Sequence, residues 1–413
     1  MNPTNLETVD VAIIGGGPSG LSAAVELRRQ GVQKVVIIER EPEAGGIPRH
    51  CGHPPFGFWE YGRLYTGPDY AKRNVLEAQK AGVDIRVLHS VTRLGAGGRL
   101  ELVSPDGGPR TLQAKRVLIA TGARETPRSA RLVGGDRPLG VINTGAFQSY
   151  VYLEHLKPFE RPLIVGTELV SLSSVLSCRR AGIKPVAMIE ANSRGTARWP
   201  LTLFPKLCGV PMHFGAQLLE VHGTGRVEGA SVKLQDGTIK EFDCDGVLLT
   251  GRFVPESSLV RLSDLKLDLK SGGPSIDQYG RCSDAAYFAA GNLLRPIETA
   301  GWSYREGRKV ATFIARDLRG ELPKVGRDVE IVCKDGLKLC VPQRLNVSGN
   351  EGMKNLQLRV SRATKGRLVV TANGEELWSR SASALPERRI LVPIAALNVP
   401  KGVQKIEVDF VGE

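Results

Sequence analysis

The sequence predicts an α/β fold of two βαβ-based domains, the second inserted in the first, followed by a C-terminal all-β sandwich-like domain. Three observations predict it. A β-branched run at residues 9–16 ends in a glycine-rich turn that opens a helix. The same pattern recurs 151 positions later, and beyond Pro323 the apolar pattern changes to short alternating segments.

The first run, VDVAIIGG, has the composition of a parallel strand buried on both faces. It leads into Gly15-x-Gly17-x-x-Gly20, then a helical stretch Leu21–Gln30, then a second strand Lys34–Ile38 ending at Glu39. Gly15 permits the tight strand-to-helix turn, and Gly17 lets the backbone approach a pyrophosphate. Gly20 and Ala24 let the helix pack closely on the sheet. The helix N-terminus offers free N–H groups and a partial positive charge to phosphate. Glu39 stands where a carboxylate accepts hydrogen bonds from ribose hydroxyls. The unit reads as a Rossmann-like dinucleotide-binding domain.

Two later segments return to that site. Arg116–Gly122 is a strand ending in Ala-Thr-Gly; Ala285–Asn292 is an apolar strand ending in Gly-Asn ahead of a helix, Tyr304–Asp317. Both resemble the further FAD fingerprints of two-dinucleotide-binding flavoproteins of the pyridine nucleotide–disulfide reductase-like class, which implies FAD as the cofactor. In that class an acidic residue after the last glycine binds the flavin ribityl chain; here it is Asn292, which carries no charge. The residues expected to contact FAD are Gly15, Gly17, Pro18, Ser19, Gly20, Glu39, Arg40, Gly46, Arg49, His50, Val91, Thr121, Gly122, Gly291 and Asn292.

The repeat begins near Arg161. Gly166 falls over Gly15, Gly182 over Gly31 and Glu190 over Glu39, while Glu168 replaces Gly17, Ser171 replaces Gly20 and Val175 replaces Ala24. Glu168 would set a negative charge where a pyrophosphate approaches the backbone. Two like charges ~4 Å apart repel by ~4 kcal/mol at an effective dielectric of 20. Ser171 and Val175 would hold the helix farther from its strand. Ordinary NAD(P)H binding is therefore disfavoured here, which leaves an architectural domain or a second nucleotide in a changed pose as alternatives.

Between Glu39 and the next helix, Gly45-Gly46 can bring backbone against the cofactor, and Arg49, His50, Cys51 and His53 crowd together. No pair of cysteines is spaced for a dithiol relay, so that chemistry is excluded. Three readings of the cluster stay open. As zinc ligands, His50, Cys51 and His53 lack a fourth partner, and no metal site is expected. His50 and His53 are the candidate catalytic acid/base or substrate-orienting groups, because histidine titrates near neutrality. The third reading is packing on the flavin.

Three motifs bring a closer resemblance: G-G-x-x-R-H-x-x-H with a following F-G at Gly45–Gly57, G-V-x-x-x-G-A-x-Q at Gly140–Gln148, and V-G-T-E-x-V-S at Val165–Ser171. Over about residues 8–320 the chain resembles the FAD subunits of heteromeric flavin dehydrogenases. These include opine oxidase A subunits, the hydrogen cyanide synthase B subunit and a D-hydroxyproline dehydrogenase component. The resemblance implies a D-amino-acid-oxidase-like partner that oxidises the substrate C–N bond. Many members carry a C-terminal cysteine-rich segment for an iron–sulfur cluster, which this sequence lacks, so any such cluster would sit on a small separate subunit.

The last segment reads as seven strands: Val329–Cys333, Leu337–Pro342, Leu356–Val360, Gly366–Ala372, Glu376–Ser379, Arg389–Pro393 and Lys405–Phe410. Turn sequences such as Lys-Asp-Gly and Ala-Asn-Gly separate them. Cys333 and Cys340 flank one turn and are expected on paired strands, reduced. No catalytic constellation is visible, so the segment reads as a docking module or a substrate lid. The domains expected are residues 1–150 with 251–322 for FAD, 151–250 for the degenerate NAD-type unit, and 327–413 for the β domain.

Composition narrows the function. The formal charge is +13 in 413 residues, but no run of five or six basic residues occurs, and nucleic acid is not expected as a partner. A solvated basic surface, or a face for an acidic partner or anionic substrate, accounts for the charge. Seven cysteines without C-x-x-C spacing suggest free thiols in a reducing cytoplasm. No signal peptide and no apolar run of the roughly 18 residues needed to span a bilayer are evident. The expected function is an electron-transferring FAD subunit of a heteromeric amino-acid or opine-type, D-hydroxyproline-like dehydrogenase. The alternatives are a self-sufficient NAD(P)H-dependent flavin oxidoreductase and a nucleotide-stabilised scaffold.

Overall fold

Val11–Ile14 and Val35–Ile38 are buried on both faces, so the strands Glu7–Ile14 and Val35–Ile38 pair in parallel at the centre of a sheet. In a computed structural model, which describes residues 6–324, 328–348 and 351–412, this sheet has seven strands. Residues 1, 327 and 413, which bound expected domains, lie outside the described residues. The parallel order is Asp84–Arg86, Val35–Ile38, Glu7–Ile14, Gly108–Ile119 and Tyr287–Ala289. The strands Ser90–Leu94 and Arg99–Ser104 continue antiparallel from Gly108–Ile119. Helices Pro18–Arg29 and Ala300–Leu318 cover one face through Leu21, Leu27, Val310 and Ile314. They meet closely because residue 307 is glycine: a Cβ there would lie 2.1 Å from the Ser19 carbonyl oxygen.

The second sheet repeats this plan. Its parallel order is Met212–Phe214, Ala187–Glu190, Pro162–Val165, Gly246–Leu249 and Val141–Asn143. Its strand Pro162–Val165 feeds the helix Leu169–Arg180, which has the 12-residue length of Pro18–Arg29. An antiparallel meander, Gln217–His222, Gly229–Lys233 and Ile239–Asp243, matches the one in the first sheet. All of this lies between Gly108–Ile119 and Tyr287–Ala289 of the first sheet, so the second domain is inserted in the first.

Contacts group the chain into two compact units, Met1–Gly46 with Ala71–Ala123 and Pro255–Glu413, and Ile47–Tyr70 with Arg124–Val254. Of the residues expected with the first domain, 124–150 fall in the second unit, as do 47–70 and 251–254. For the former the reason is pairing: Val141–Asn143 forms the edge strand beside Gly246–Leu249.

The C-terminal segment is a sandwich with its own core of residues such as Leu356, Leu358, Val370 and Val408. A five-stranded sheet, ordered Arg344–Asn346, Asp328–Cys333, Lys405–Gly412, Thr364–Ala372 and Glu375–Ala384, faces a three-stranded one of Leu337–Val341, Asn355–Val360 and Ile390–Pro393. All seven expected segments carry strands, and Arg344–Asn346 is an eighth. One expectation is corrected. Cys333 and Cys340 lie on strands of opposite sheets, because the Lys334–Gly336 turn crosses between the layers and does not close a hairpin. Lys270 Nζ holds that crossing by donating to the Cys333 and Lys334 carbonyls at 2.8 and 2.9 Å. Both thiols are free. Among the described residues no helix is long and apolar enough to cross a membrane.

Candidate functional site

The first glycine-rich turn is built to admit a ligand. Gly15 has φ +107°, and a Cβ there would lie 2.5 Å from the Ala120 carbonyl oxygen. A Cβ on Gly20 would lie 2.0 Å from the Gly15 oxygen, so the helix can start this near the strand only with glycine. Gly17 differs: it is the N-cap of Pro18–Arg29 in extended backbone, and a Cβ would meet nothing nearer than Gly46 Cα at 3.9 Å. The space above it is open. Gly45 N–H donates to the Gly16 carbonyl at 2.7 Å, which lays the Gly45-Gly46 backbone beside this turn. Glu39, 7% exposed, accepts from the Gly16 N–H at 2.8 Å and the Glu41 N–H at 2.9 Å. Its partners are thus backbone donors, and lone pairs remain for a ribose.

These residues fit the phosphate and ribose of a dinucleotide. Ser19 Oγ at the helix N-terminus is buried without a hydrogen-bond partner, as expected of a group whose acceptor is a phosphate. Gly291, at φ +79°, brings its backbone against Ser19, and Gly122 has open space where a Cβ would stand. Thr121 Oγ1 donates to the Glu256 carbonyl at 2.7 Å, which fixes the Ala-Thr-Gly turn. Val91, on the sheet strand Ser90–Leu94, packs against the core, and Arg40 is exposed with Glu41 as its ion partner at 3.6 Å. Asn292 turns away from an open role: its Nδ2 donates to the Glu298 carbonyl at 3.0 Å, and its Oδ1 accepts the Glu298 N–H at 3.1 Å. An aspartate could not make the first of these bonds.

The repeat fills its own cradle. Glu168 is the N-cap of Leu169–Arg180 with φ −71° and ψ 173°, close to the −81° and −175° of Gly17. The two backbones match, so the difference lies in the side chain. Glu168 Oε2 accepts from Ser171 Oγ at 2.9 Å and Thr250 Oγ1 at 3.0 Å. It also lies 2.5 Å from where a Gly166 Cβ would stand. Arg131 clamps the carbonyls of Thr250 and Gly251 at 2.8 and 2.9 Å and sets a positive charge near the Glu168 carboxylate. The ribose position is taken too: Thr167, 1% exposed, donates its hydroxyl to Glu190 Oε2 at 2.5 Å. Asn192 occupies the other Glu190 oxygen through its N–H at 2.9 Å and Nδ2 at 2.7 Å. Thr167 stands where the first copy has Gly16, and Thr250-Gly251 repeats Thr121-Gly122. The Thr-Gly pair is the signal in the sequence that would have found this second half of the cradle.

Within the second unit, the His/Cys segment is a polar network. His53 Nδ1 lies 2.9 Å from the Pro54 carbonyl, which can only accept, so Nδ1 carries the proton. Nε2 lies 2.6 Å from the Ser173 hydroxyl, and Gln148 Nε2 donates to Ser173 Oγ at 2.6 Å. Both His53 nitrogens are thereby engaged. His50 Nε2 is buried without a partner, and burial, helped by Arg49, holds its pKa down to about 4. His50 is thus neutral at pH 7 and keeps a ring nitrogen for a ligand. Arg49 shares the same short 3₁₀ turn, Ile47–His50. Burial, then the Glu125 carboxylate, push the Cys51 thiol up to about 12, so it stays protonated and unreactive. Glu125 itself is pushed up to about 7 by burial, against opposing bonds from Gly145 and Thr144. No group of three or more His, Cys, Asp or Glu side chains that could hold a metal occurs among the described residues.

Residues 9–307 match the pyridine nucleotide-disulphide oxidoreductase family. The chain belongs to it. This is a family of FAD-dependent oxidoreductases in which NAD(P) is also used. The hydrogen cyanide synthase component HcnB of Pseudomonas aeruginosa is 29% identical over 250 residues, 54% of this chain and 51% of that protein. The opine oxidase A subunit of Rhizobium meliloti is 25% identical over 325 residues, 69% of this chain and 59% of that protein. The chain therefore spans less than two thirds of either relative. The structure of T. acidophilum thioredoxin reductase shares the fold, with a TM-score of 0.64 and 24% identity over 75% of this chain and 99% of that one. The chain has two Rossmann-like domains; a Cβ at Gly17 of the first would meet nothing nearer than 3.9 Å, whereas the matching Glu168 of the second bonds to Ser171 and Thr250.

Proposed function

We propose that the chain is the FAD-binding, electron-transferring component of a heteromeric dehydrogenase that acts on the C–N bond of an amino acid or opine, of D-hydroxyproline-like type. The observation that carries this reading is the contrast between the two cradles. The first leaves Gly17 bare and Ser19 Oγ unpartnered, whereas Glu168 and Thr167 fill the second. An enzyme that drew electrons from NAD(P)H in the usual way would need the second cradle open. HcnB and the opine oxidase relative are both named as subunits of larger enzymes, which supports the heteromeric part.

Gly15, Gly17, Pro18, Ser19, Gly20 and the Gly45-Gly46 backbone would hold the pyrophosphate, and Glu39 the adenosine ribose. The Thr121-Gly122 and Gly291-Asn292 turns would line the site beyond them. Bound there, FAD supplies a centre that exchanges electrons in ones or twos; the residues of this chain orient it and set its electrostatics. Substrate oxidation falls to a D-amino-acid-oxidase-like partner, and any iron–sulfur cluster to a further small subunit. Seven free thiols suit a reducing, cytoplasmic setting. Family membership favours a second reading, a self-sufficient NAD(P)H-dependent flavin oxidoreductase.

Purification of the tagged chain from its native host decides between them. The expected result is a stoichiometric second flavoprotein chain and amino-acid or opine dehydrogenase turnover by the assembly. A lone chain that turns over NAD(P)H overturns the heteromeric reading.

A further inference from the structure

The turn after the strand Tyr287–Ala289 is tied into the sandwich by a chain of buried polar contacts. The Gly291 N–H donates to Glu306 Oε2 at 2.8 Å, and the other Glu306 oxygen pairs with Arg295, which is 1% exposed. Asn292 holds the main chain of Glu298 with both ends of its amide, closing residues 292–298 into a loop. The Glu298 side chain, 4% exposed, reaches the other way. Its Oε1 accepts from Arg359 Nη2 at 2.9 Å and Arg389 Nε at 3.2 Å, and its Oε2 from Arg389 Nη2.

Both arginines come from the sandwich: Arg359 from the strand Asn355–Val360, Arg389 from the residue before Ile390–Pro393. The Arg389 guanidinium also lies 3.5 Å from the ring centroid of Trp302, in the first turn of Ala300–Leu318. Acceptors are already scarce in this cluster. Arg295 Nε and Nη1 and Arg359 Nε are buried without hydrogen-bond partners, and a neutral residue at 298 would take from the buried Arg359 guanidinium its Glu298 counterion. Burial raises the Glu298 carboxyl, but Arg389, Arg295 and Arg359 together bring it below the ordinary carboxylate range. The carboxylate is therefore present throughout the neutral range.

We propose that Glu298 is a positioning residue through which the C-terminal sandwich holds the Gly291–Asn292 turn in its flavin-binding shape. The inference rests on the reading of the first cradle as an FAD site. It gives the sandwich a role inside this chain: a force applied to Arg359 and Arg389 reaches the flavin turn through one carboxylate and the Asn292 amide.

The full-length chain carries the test, in Glu298→Gln and, from the sandwich side, Arg389→Lys. Two readouts are taken: amide hydrogen exchange of residues 291–299 in the apo-protein, and the FAD dissociation constant with the visible circular dichroism of the bound flavin. In Glu298→Gln, exchange of the turn and the FAD dissociation constant are each expected to rise about tenfold, inside the roughly 5–150-fold range of coupling between separate sites. Arg389→Lys, which keeps the charge but loses the two-pronged grip, is expected to fall between wild type and Glu298→Gln on both. A purely structural role would lower the apo-protein melting temperature and leave the affinity and flavin dichroism in place. Unchanged exchange and affinity in a folded Glu298→Gln overturn the proposal; should that variant not fold, wild-type values in Arg389→Lys do the same. A wild-type chain that takes up no FAD overturns instead the reading of the first cradle, a failure the exchange readout keeps separate.

Discussion

Replacing Gly17 with glutamate is expected to weaken FAD binding roughly a thousandfold in a chain that still folds, since a like charge ~4 Å from the pyrophosphate costs about 4 kcal/mol. The variant copies what the repeat has done. Gly17 and Glu168 share one backbone conformation at the cap of equal-length helices, so the side chain enters without strain. A Cβ at 17 finds 3.9 Å of clearance, whereas one at Gly20 would collide at 2.0 Å. Loss of binding in Gly17→Glu would therefore report charge and occupancy, not misfolding. The reciprocal change, Thr167→Gly with Glu168→Gly, removes the Glu168 side chain from the second cradle and the Thr167 hydroxyl from Glu190 Oε2, and is expected to create binding of a pyridine nucleotide. FAD titration of the apo-proteins, with far-ultraviolet dichroism as the check on folding, measures the first effect. An affinity within tenfold of wild type would contradict it.

The second large effect is on stability against pH, where two buried groups of the second unit pull in opposite directions. Glu125 titrates at about 7 in the fold and at the ordinary 4.5 when unfolded. Between those values the native chain holds the extra proton, so its stabilisation is complete below about pH 4.5 and is lost as pH rises through 7. His50 titrates at about 4 in the fold against 6.5 unfolded. There the unfolded chain holds the extra proton, so stability is complete above 6.5 and is lost as pH falls toward 4. Over the shared window the two slopes largely cancel in the wild type. Glu125→Gln, a neutral mimic of the protonated acid, is expected to gain on the wild type by about 3 kcal/mol as pH rises from 4.5 to 8, at about 1.4 kcal/mol per unit. His50→Phe removes the opposite slope. Denaturant unfolding across that range checks both, and a variant-to-wild-type difference that is flat in pH would contradict the assignment.

What was legible in the sequence is what local pattern encodes. Glycine spacing marks the first cradle, and a constant offset from Gly15 to Gly166 and from Glu39 to Glu190 marks the repeat. That offset also exposed Glu168 as a substitution at a defined place. Turn residues separated the sandwich strands well enough to find seven of them. The features that were missed depend on contacts between distant segments. The Thr167 hydroxyl is an ordinary threonine until Glu190 is beside it. Asn292 reads as a weakened flavin ligand until its amide is seen to hold Glu298. Cys333 and Cys340 look like hairpin neighbours because a Lys-Asp-Gly turn has the same residues whether it closes a hairpin or crosses between sheets. Glu125 and Arg131 lie in a stretch with no periodic signal, and only burial gives them their character.

One open cradle and one closed one underlie the proposed function, and anaerobic mixing of the FAD-loaded chain with NADH or NADPH in a stopped-flow spectrophotometer tests that contrast most directly. With Glu168 and Thr167 in place, the flavin absorbance is expected to persist through many seconds of excess reductant. Rapid bleaching by either nucleotide would show that the second domain delivers electrons after all, and would contradict the closed cradle.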